Sequence, residues 1–302
     1  MKVFMTGGTG FVGTVLTKSL TQKGYKVTLL TRKIRGERSV PRGATLLEGD
    51  PAKAGPWQGN VADHDVIINL AGASIFTRWT KREKRMIRET RILTTKNLVN
   101  ALSDRRVDEI TFISTSAVGY YGFHGDEELD ETCGTGSDFL ASVAREWEAA
   151  ALEAERPGVR VLLCRLGIVL GRNGGALGEI IPLFQKGLGS RLGDGQQWLS
   201  WIHEDDLARL YLFLMERREL SGPFNCTAPG AVRNKDLTKV MGEVLGQPLF
   251  MPAVPGFMVR LIKGEFGNVL LKGQKVLPKR LLEAGFRFHF PDLRGALKDI
   301  IG

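Results

Sequence analysis

The start of the chain carries glycines at the spacing of a phosphate-binding turn. An apolar run at residues 2–5 precedes Gly7-x-x-Gly10-x-x-Gly13, and apolar residues then recur at helical spacing, which predicts a strand, a turn and a helix. Glycines let the backbone approach a pyrophosphate, whose charge is met by the N–H groups at the start of the helix. Because a second strand at residues 26–30 closes a βαβ unit, we expect a dinucleotide here. The predicted contacts in this turn are Gly7, Gly8, Thr9, Gly10, Phe11, Val12 and Gly13.

The residues after the second strand indicate which dinucleotide is bound. A protein specific for NAD usually has Asp or Glu at this point to bind the ribose 2′-hydroxyl, whereas this chain has Thr31-Arg32-Lys33. A carboxylate would repel a 2′-phosphate, and a guanidinium would pair with it. We therefore expect Thr31 and Arg32 to contact NADP(H); a solvated basic turn is the alternative.

The rest of the first half alternates strands with helices. Apolar runs at residues 45–48, 66–70, 110–114 and 159–165 are separated by helical patterns from about Trp79 to Leu102 and from Asp138 to Glu155. Strands that are continuously apolar indicate a parallel sheet covered on both faces, so the predicted fold is α/β, a doubly wound Rossmann sheet. Ligands bind at the carboxyl ends of such strands. The segments that should meet in one cleft there are residues 7–13, 31–33, 70–72 and 114–121, which adds Gly72 and Ser114 to the predicted cofactor contacts.

The second half is expected to divide between this domain and a smaller lobe. We place the NADP(H)-binding domain at residues 1–170, with a strand and helix around 200–228 added back. Residues 171–200, where glycines alternate with apolar residues, and 229–302 are assigned to a small, mainly helical lobe or lid on the substrate side. From about residue 247 the chain has dense apolar residues with basic ones between them, which is typical of amphipathic helices. We expect their apolar faces to be buried in the lobe; a partner or a membrane surface is the alternative.

Composition narrows the class of partner. The chain has 42 Lys+Arg against 33 Asp+Glu, a formal net charge of +9, which favours anionic partners. The basic residues form short groups without interleaved aromatics, so we expect a small-molecule substrate and neither nucleic acid nor membrane as a partner. The first residues enter a strand pattern directly, and three separated cysteines suit a reducing compartment. These features predict a cytoplasmic protein.

The histidines and paired acids do not form a metal-ligand pattern. His64, His124 and His289 have no partner two or four residues away, so no metal site is predicted. We expect His203 to pair with an adjacent carboxylate, although its imidazole could donate a proton. Asp205-Asp206 is expected to cap the helix that follows.

Several motifs together resemble the extended short-chain dehydrogenase/reductase superfamily: the glycine turn, Asn69-Leu70-Ala71-Gly72, Ser114-Thr115-Ser116-Ala117 with Tyr121-Gly122, and Arg165-x-Gly167. The stretches 193–206 and 271–288 resemble, more narrowly, its atypical branch of epimerase family proteins, which carries a characteristic C-terminal domain. The resemblance covers essentially the whole chain. It implies NADP(H) contacts at Thr31, Arg32, Leu70, Ala71, Arg91 and Val169.

The catalytic pair usual in this superfamily is missing. A Tyr-x-x-x-Lys pair on a helix normally acts with an upstream hydroxyl, the lysine lowering the pKa of the tyrosine. Four residues beyond the tyrosines of this chain lie Leu29, His124, Gly125 and Met215, so no such pair exists. Ser116 still matches the hydroxyl position and could bind a substrate oxygen.

Three interpretations follow. Tyr120 or Tyr121 replaces the missing acid/base near Ser116, although tyrosine rings more often serve packing. Alternatively, NADPH is bound without turnover and the protein acts as a sensor or stabilises a partner. In the third, a reductase takes its proton from water or from an acidic side chain, because hydride chemistry belongs to the cofactor. By fold analogy, the substrate of an oxidoreductase or epimerase would be a nucleotide sugar or another carbonyl compound.

Overall fold

The computed structural model describes residues 1–34, 43–103, 110–156, 158–172 and 174–302. Its centre is a seven-stranded sheet in the order β11-β7-β5-β4-β1-β2-β3, and every neighbouring pair is parallel. The strands are β1 (Lys2–Thr6), β2 (Lys26–Thr31), β3 (Ala44–Glu48), β4 (Val66–Asn69), β5 (Ile110–Ala117), β6 (Glu128–Leu129), β7 (Val159–Leu166), β8 (Ile168–Gly171), β9 (Trp198–Leu199), β10 (Trp201–His203), β11 (Gly222–Cys226), β12 (Val232–Arg233) and β13 (Lys275–Val276).

Helices cover both faces of the sheet, as the continuous apolar strands predict. The helices are α1 (Phe11–Gln22), α2 (Lys81–Ser103), α3 (Phe139–Leu152), α4 (Gly175–Gln185), α5 (Glu204–Glu216), α6 (Asn234–Leu245), α7 (Gly256–Lys263), α8 (Gly267–Leu271), α9 (Lys279–Glu283) and α10 (Leu293–Ile301), with 3₁₀ turns at Pro56–Asp63, Val118–Tyr121 and Gly264–Phe266. Leu16 of α1 and Leu207 of α5 are buried in the core on one face, and Leu98 of α2 and Ala151 of α3 are buried on the other. The predicted doubly wound Rossmann class is confirmed.

The later part of the chain both completes the sheet and builds a helical region. The edge strand β11 pairs with β7, while α4, α6 and α10 share a separate core around Leu177, Met241 and Leu297. The C-terminal segment returns to the main domain, because β13 pairs with β6 and Phe266 packs on Trp79 with ring centroids 5.7 Å apart. The predicted mainly helical C-terminal lobe is confirmed. No helix within the described residues is long and apolar enough to cross a membrane.

Two local expectations are wrong. Helix α5 begins at Glu204 and is capped by the ring of His203, which accepts a hydrogen bond from the backbone N–H of Asp205, so the aspartates are not the cap. Asp206 is fully buried and accepts the backbone N–H groups of His289 and Phe290 instead. The second error concerns α7, whose Leu261 and Ile262 are 74% and 62% exposed rather than buried in the lobe.

Candidate functional site

The glycine turn between β1 and α1 is shaped by close backbone contacts. Gly7 has φ of +70°, and the N–H of Gly10 donates to its carbonyl at 3.0 Å. A Cβ on Gly13 would lie 2.3 Å from that same oxygen, so a side chain there would push α1 off the turn. Helix α1 starts at Phe11 with no capping side chain and no acidic residue in its first turn. The turn therefore presents a helix N-terminus suited to an anion.

The loop after β4 lies directly beside this turn. A Cβ on Gly7 would be 2.8 Å from the carbonyl carbon of Leu70, and the N–H of Ala71 donates to Thr6 Oγ1 at 3.3 Å. Thr6 Oγ1 in turn donates to Asn69 Oδ1 at 2.7 Å, which fixes the two strand ends together. The Leu70-Ala71 backbone and the glycine turn thus form one cradle.

Arg91 of α2 places a cation behind the same loop. Its Nη1 donates to the carbonyls of Ala73 and Ile87 at 3.0 and 2.9 Å, and a Cβ on Gly72 would be 3.0 Å from its Cζ. Burial lowers the pKa of Arg91 to about 10, and no carboxylate within the described ranges pairs with it. An anionic ligand would supply the missing counter-charge.

Two further predicted contacts lie on other strands. Ser114 of β5 pairs with Asn69, the last residue of β4; it is 1% exposed, and its Oγ has no hydrogen-bond partner among the described residues. Val169 of β8 lies across from the first turn of α1, because a Cβ on Gly175 would contact both the Val169 carbonyl oxygen and the ring of Phe11 at 2.9 Å. Within the turn itself, Thr9 is exposed and Val12 packs on the core.

The ends of β2 and β3 form the far side of the cradle. Thr31 is the last residue of β2, and its carbonyl accepts the N–H of Gly49 at 2.8 Å. Arg32 and Lys33 are exposed, with no ion-pair partner in the part of the chain that the structure describes. After β3 a cavity of about 370 Å³ is lined by Leu47, Glu48, Gly49, Asp50, Lys53, Ala54, Gly55, Pro56, Trp57 and Asn60.

The sequence patterns did not predict this cavity. The signal that could have indicated it is Gly49-Asp50-Pro51 at the end of a strand. The glycine cradle, the orphaned Ser114 hydroxyl, the unneutralised Arg91 and the exposed Arg32 all fit NADP(H), and the individual contacts stay predictions.

Ser116 is bonded to a buried ion pair. Its Oγ donates to Glu148 Oε1 at 2.6 Å, and Glu148 accepts two further hydrogen bonds from Arg165, at 2.9 and 2.8 Å. The Arg165 and Glu148 side chains are only 4% and 7% exposed. Burial acts to lower the pKa of Arg165, but the hydrogen bonds and charge of Glu148 outweigh it and raise that pKa. Because the single hydroxyl hydrogen of Ser116 is donated to Glu148, the Ser116 oxygen can only accept a hydrogen bond from a substrate.

The two candidate tyrosines differ in their surroundings. Tyr121 is fully buried, donates to Asn225 Oδ1 at 2.7 Å and accepts from Arg165 at 2.9 Å. Burial raises the pKa of Tyr121 to about 12, although Arg165 opposes the rise, so its phenol is protonated at neutral pH. Tyr120 is partly exposed and lies with its ring 3.6 Å from the Arg165 guanidinium. The structure brings both rings next to Ser116 through Arg165.

Helix α3 presents an unusual face to this network. Leu140, Ala144 and Glu148 are spaced one turn apart on one face of the helix. Leu140 borders the segment that carries Ser116, since a Cβ on Gly119 would contact its Cβ at 3.4 Å. A tyrosine and a lysine one turn apart on this face could reach the cleft. This chain has the apolar Leu140 and Ala144 on that face, followed by the buried carboxylate of Glu148.

His203 lies outside this network. Its Nδ1 accepts the Asp205 N–H at 3.1 Å, so in the neutral ring Nε2 carries the proton, 3.4 Å from Asp299 Oδ2. The partner is thus a carboxylate far along the chain and not an adjacent one. His203, Asp205 and Asp299 have potential ligand atoms within 4.8 Å of one another, but the protonated Nε2 has no lone pair for a metal.

The sheet order, the glycine turn and the ligand cradle together define a dinucleotide-binding Rossmann protein. The sequence profile of the NAD dependent epimerase/dehydratase family matches residues 3–226, and that of a domain of unknown function, DUF1731, matches residues 254–300. The chain therefore belongs to the NAD dependent epimerase/dehydratase family, and the predicted resemblance is confirmed.

Three relatives illustrate the similarity. The chloroplastic epimerase family protein SDR39U1 homolog of Arabidopsis thaliana is 39% identical over 308 residues, which cover 100% of this chain and 87% of that protein. The structure of human epimerase family protein SDR39U1 (isoform 2) with NADPH is 32% identical, covers 99% of both chains and superposes with a TM-score of 0.88. A nucleoside-diphosphate sugar epimerase from Corynebacterium glutamicum is 33% identical with a TM-score of 0.80; the match covers 100% of this chain and 58% of that one.

Proposed function

We propose that the chain binds NADP(H) in preference to NAD(H). The observation that carries this proposal is the exposed Arg32 directly after β2, where NAD-specific proteins usually have a carboxylate to hold the ribose 2′-hydroxyl. A guanidinium matches the geometry and charge of a 2′-phosphate. The human relative described with NADPH supports the same preference.

Replacing Arg32 tests the preference. Arg32→Ala should weaken NADPH binding by about tenfold to a hundredfold and leave NADH binding nearly unchanged, because a charge-assisted pair is worth about 1.5–3 kcal/mol. Titration of each dinucleotide by fluorescence or calorimetry measures both constants. Arg145→Ala, an exposed arginine on α3, is the matched control. Equal losses for NADPH and NADH would contradict the proposal.

We further propose that the bound cofactor exchanges a hydride with a small-molecule substrate, as in an oxidoreductase or epimerase. The cofactor supplies the hydride chemistry when bound. A nucleotide sugar or another carbonyl compound is the proposed substrate, supported by the description of the Corynebacterium glutamicum relative as a nucleoside-diphosphate sugar epimerase. Ser116 would accept a hydrogen bond from the substrate while Glu148 holds the serine in place.

A second function is favoured by the face of α3. Leu140 and Ala144 offer no proton, Tyr121 is buried with a raised pKa, and the hydrogen of Ser116 is held by Glu148. These observations support a protein that binds NADPH without turnover and serves as a sensor or stabilises a partner.

One assay separates the two functions. Purified protein with NADPH is incubated with nucleotide sugars and simple carbonyl compounds, and the absorbance of NADPH and the product masses are followed. Hydride transfer predicts substrate-dependent loss of absorbance or an epimerised product. Binding without turnover predicts neither, together with a measurable NADPH affinity.

We also propose that the chain has separate cofactor-binding and substrate-binding parts and that the protein is cytoplasmic. The cofactor domain would comprise residues 1–170 and about 200–228, and residues 171–200 and 229–302 would form the substrate side, supported by the separate core of α4, α6 and α10. A cytoplasmic location is supported by the free thiols of Cys133, Cys164 and Cys226. Cell fractionation would test the location.

A further inference from the structure

The outer side of α7 is apolar and open to solvent. Phe257, Leu261 and Ile262 are 68%, 74% and 62% exposed, whereas Val259 on the same helix is 5% exposed. We call this side of the helix the α7 surface; its large apolar members are Phe257, Met258, Leu261 and Ile262. Earlier in the chain, Phe250 is 84% exposed. Single exposed apolar residues are ordinary, but a contiguous group marks a contact site.

The charges on and beside the α7 surface are mainly basic. No Asp or Glu occurs between Glu243 and Glu265 in the sequence. Glu265 itself is paired with Lys84 at 2.8 Å. Exposed Arg260 and Lys263 lie on α7 itself.

Helix α2 extends this basic rim. Arg78 borders the end of α7, because a Cβ on Gly264 would lie 3.4 Å from Arg78 Cγ. The start of α2 continues the rim with exposed Lys81, Arg82 and Arg85, which outnumber the partly exposed Glu83 between them. An apolar centre is thus bordered by cations.

We propose that the α7 surface docks on an anionic lipid surface. Apolar side chains of an exposed helix enter the boundary between headgroups and acyl chains, while flanking Lys and Arg pair with anionic headgroups. A second copy of the chain fits less well, because two such surfaces facing each other would bring basic rims together. The proposal departs from the sequence-based expectation of no membrane partner, which assumed that these apolar residues are buried.

Vesicle sedimentation of the full chain tests the docking. The vesicles contain phosphatidylcholine alone or phosphatidylcholine mixed with phosphatidylglycerol, each at low and at high salt. We expect sedimentation with the mixed vesicles at low salt, release at high salt because screening weakens the basic contacts, and little binding to phosphatidylcholine alone.

Variants on the exposed surface locate the contact. Leu261→Ser with Ile262→Ser should remove most of the binding, whereas Leu152→Ser with Leu282→Ser, at exposed apolar positions elsewhere, should not. Lys263→Gln should weaken vesicle affinity about fivefold, since each basic residue near an anionic surface contributes about 1 kcal/mol. Lys18→Gln on α1 is its control. All four variants should retain NADPH affinity, which keeps this test separate from the proposed function.

Three results would overturn the proposal. One is no binding to the mixed vesicles at low salt. A second is equal binding to both kinds of vesicle without salt dependence. The third is a dimer, seen by light scattering, that Leu261→Ser with Ile262→Ser dissociates while vesicles bind nothing, which would assign the surface to a second copy.

Discussion

Removing the buried anion beneath Ser116 should destabilise the fold strongly. In Glu148→Gln the guanidinium of Arg165, with its side chain 4% exposed, loses the carboxylate that pairs with it at 2.8 Å. The new amide can still accept the Ser116 hydrogen, but its N–H₂ group faces the donors of Arg165. The variant therefore leaves an uncompensated charge in the interior while the side-chain volume hardly changes.

The expected loss follows from that burial. Breaking a buried pair by removing one partner costs about 3–5 kcal/mol, a large part of the roughly 5–15 kcal/mol that stabilises a typical protein. For a chain of this size such a loss corresponds to a fall in Tm of about 5–8 °C. Urea unfolding followed by circular dichroism, with and without NADPH, measures the loss.

Glu146→Gln is the matched control. Glu146 lies two residues away on the same helix and also pairs with an arginine, Arg88, but those side chains are 31% and 53% exposed. Exposed pairs contribute about 0–1 kcal/mol, so the control should unfold almost like the parent. If both variants lost the same stability, burial would not be the reason for the effect.

A double variant separates charge from packing. Glu148→Leu with Arg165→Met removes both ions together and should recover most of the stability lost in Glu148→Gln, because apolar residues of similar volume can replace a buried ion pair. A double variant as unstable as the single one would show that the network contributes through its hydrogen bonds to Ser116 and Tyr121 instead.

Two further predictions concern the turn and the buried phenol. Gly13→Ala should abolish NADPH binding and lower the free energy of unfolding by about 1–3 kcal/mol, because its Cβ would overlap the Gly7 carbonyl oxygen. Gly59→Ala, with nothing within 4 Å of its Cβ, is the control and should change neither quantity. Calorimetry and thermal unfolding check both variants, and normal NADPH affinity in Gly13→Ala would contradict the proposed cradle. The pKa of Tyr121 is raised to about 12 in the folded chain, so the folded state holds this proton above pH 10 and stability should fall by about 2–3 kcal/mol as the pH rises from about 10 to about 12. In Tyr121→Phe the stability should not show this decrease between about pH 10 and about pH 12. If the stability of both proteins fell in parallel with pH, the assignment of the decrease to Tyr121 would be refuted.

The local parts of this structure could be predicted because they depend on short-range patterns. Glycine spacing and helical periodicity gave the β1-turn-α1 unit, since those signals lie within neighbouring residues. The boundaries shifted slightly: the helix expected from Trp79 begins at Lys81, and Asp138 caps α3 instead of starting it. Such shifts arise because end residues are set by capping geometry, which periodicity does not encode.

Contacts across the chain could not be predicted in the same way. The Ser116 hydrogen bond to Glu148 joins a strand end to a helix face, and the His203 contact with Asp299 joins the start of α5 to α10. Periodicity shows which face of an element is apolar, but it does not show which polar side chain on another element meets it. The prediction that Leu261 is buried was wrong for the same reason. An amphipathic pattern specifies which face of a helix is apolar but not what covers that face.

The Glu148–Arg165 pair limits how a hydride transfer could be completed in this cleft. In the oxidation of an alcohol, the substrate hydroxyl would donate to Ser116 Oγ, whose own hydrogen already points to Glu148 at 2.6 Å, so a path for the departing proton exists. In a reduction the same hydrogen bonds would carry the proton back from Glu148 through Ser116 to the substrate oxygen. Turnover in this protein should therefore depend on Glu148 in both directions, and a folded Glu148→Gln variant that slowed only one of them would refute this path.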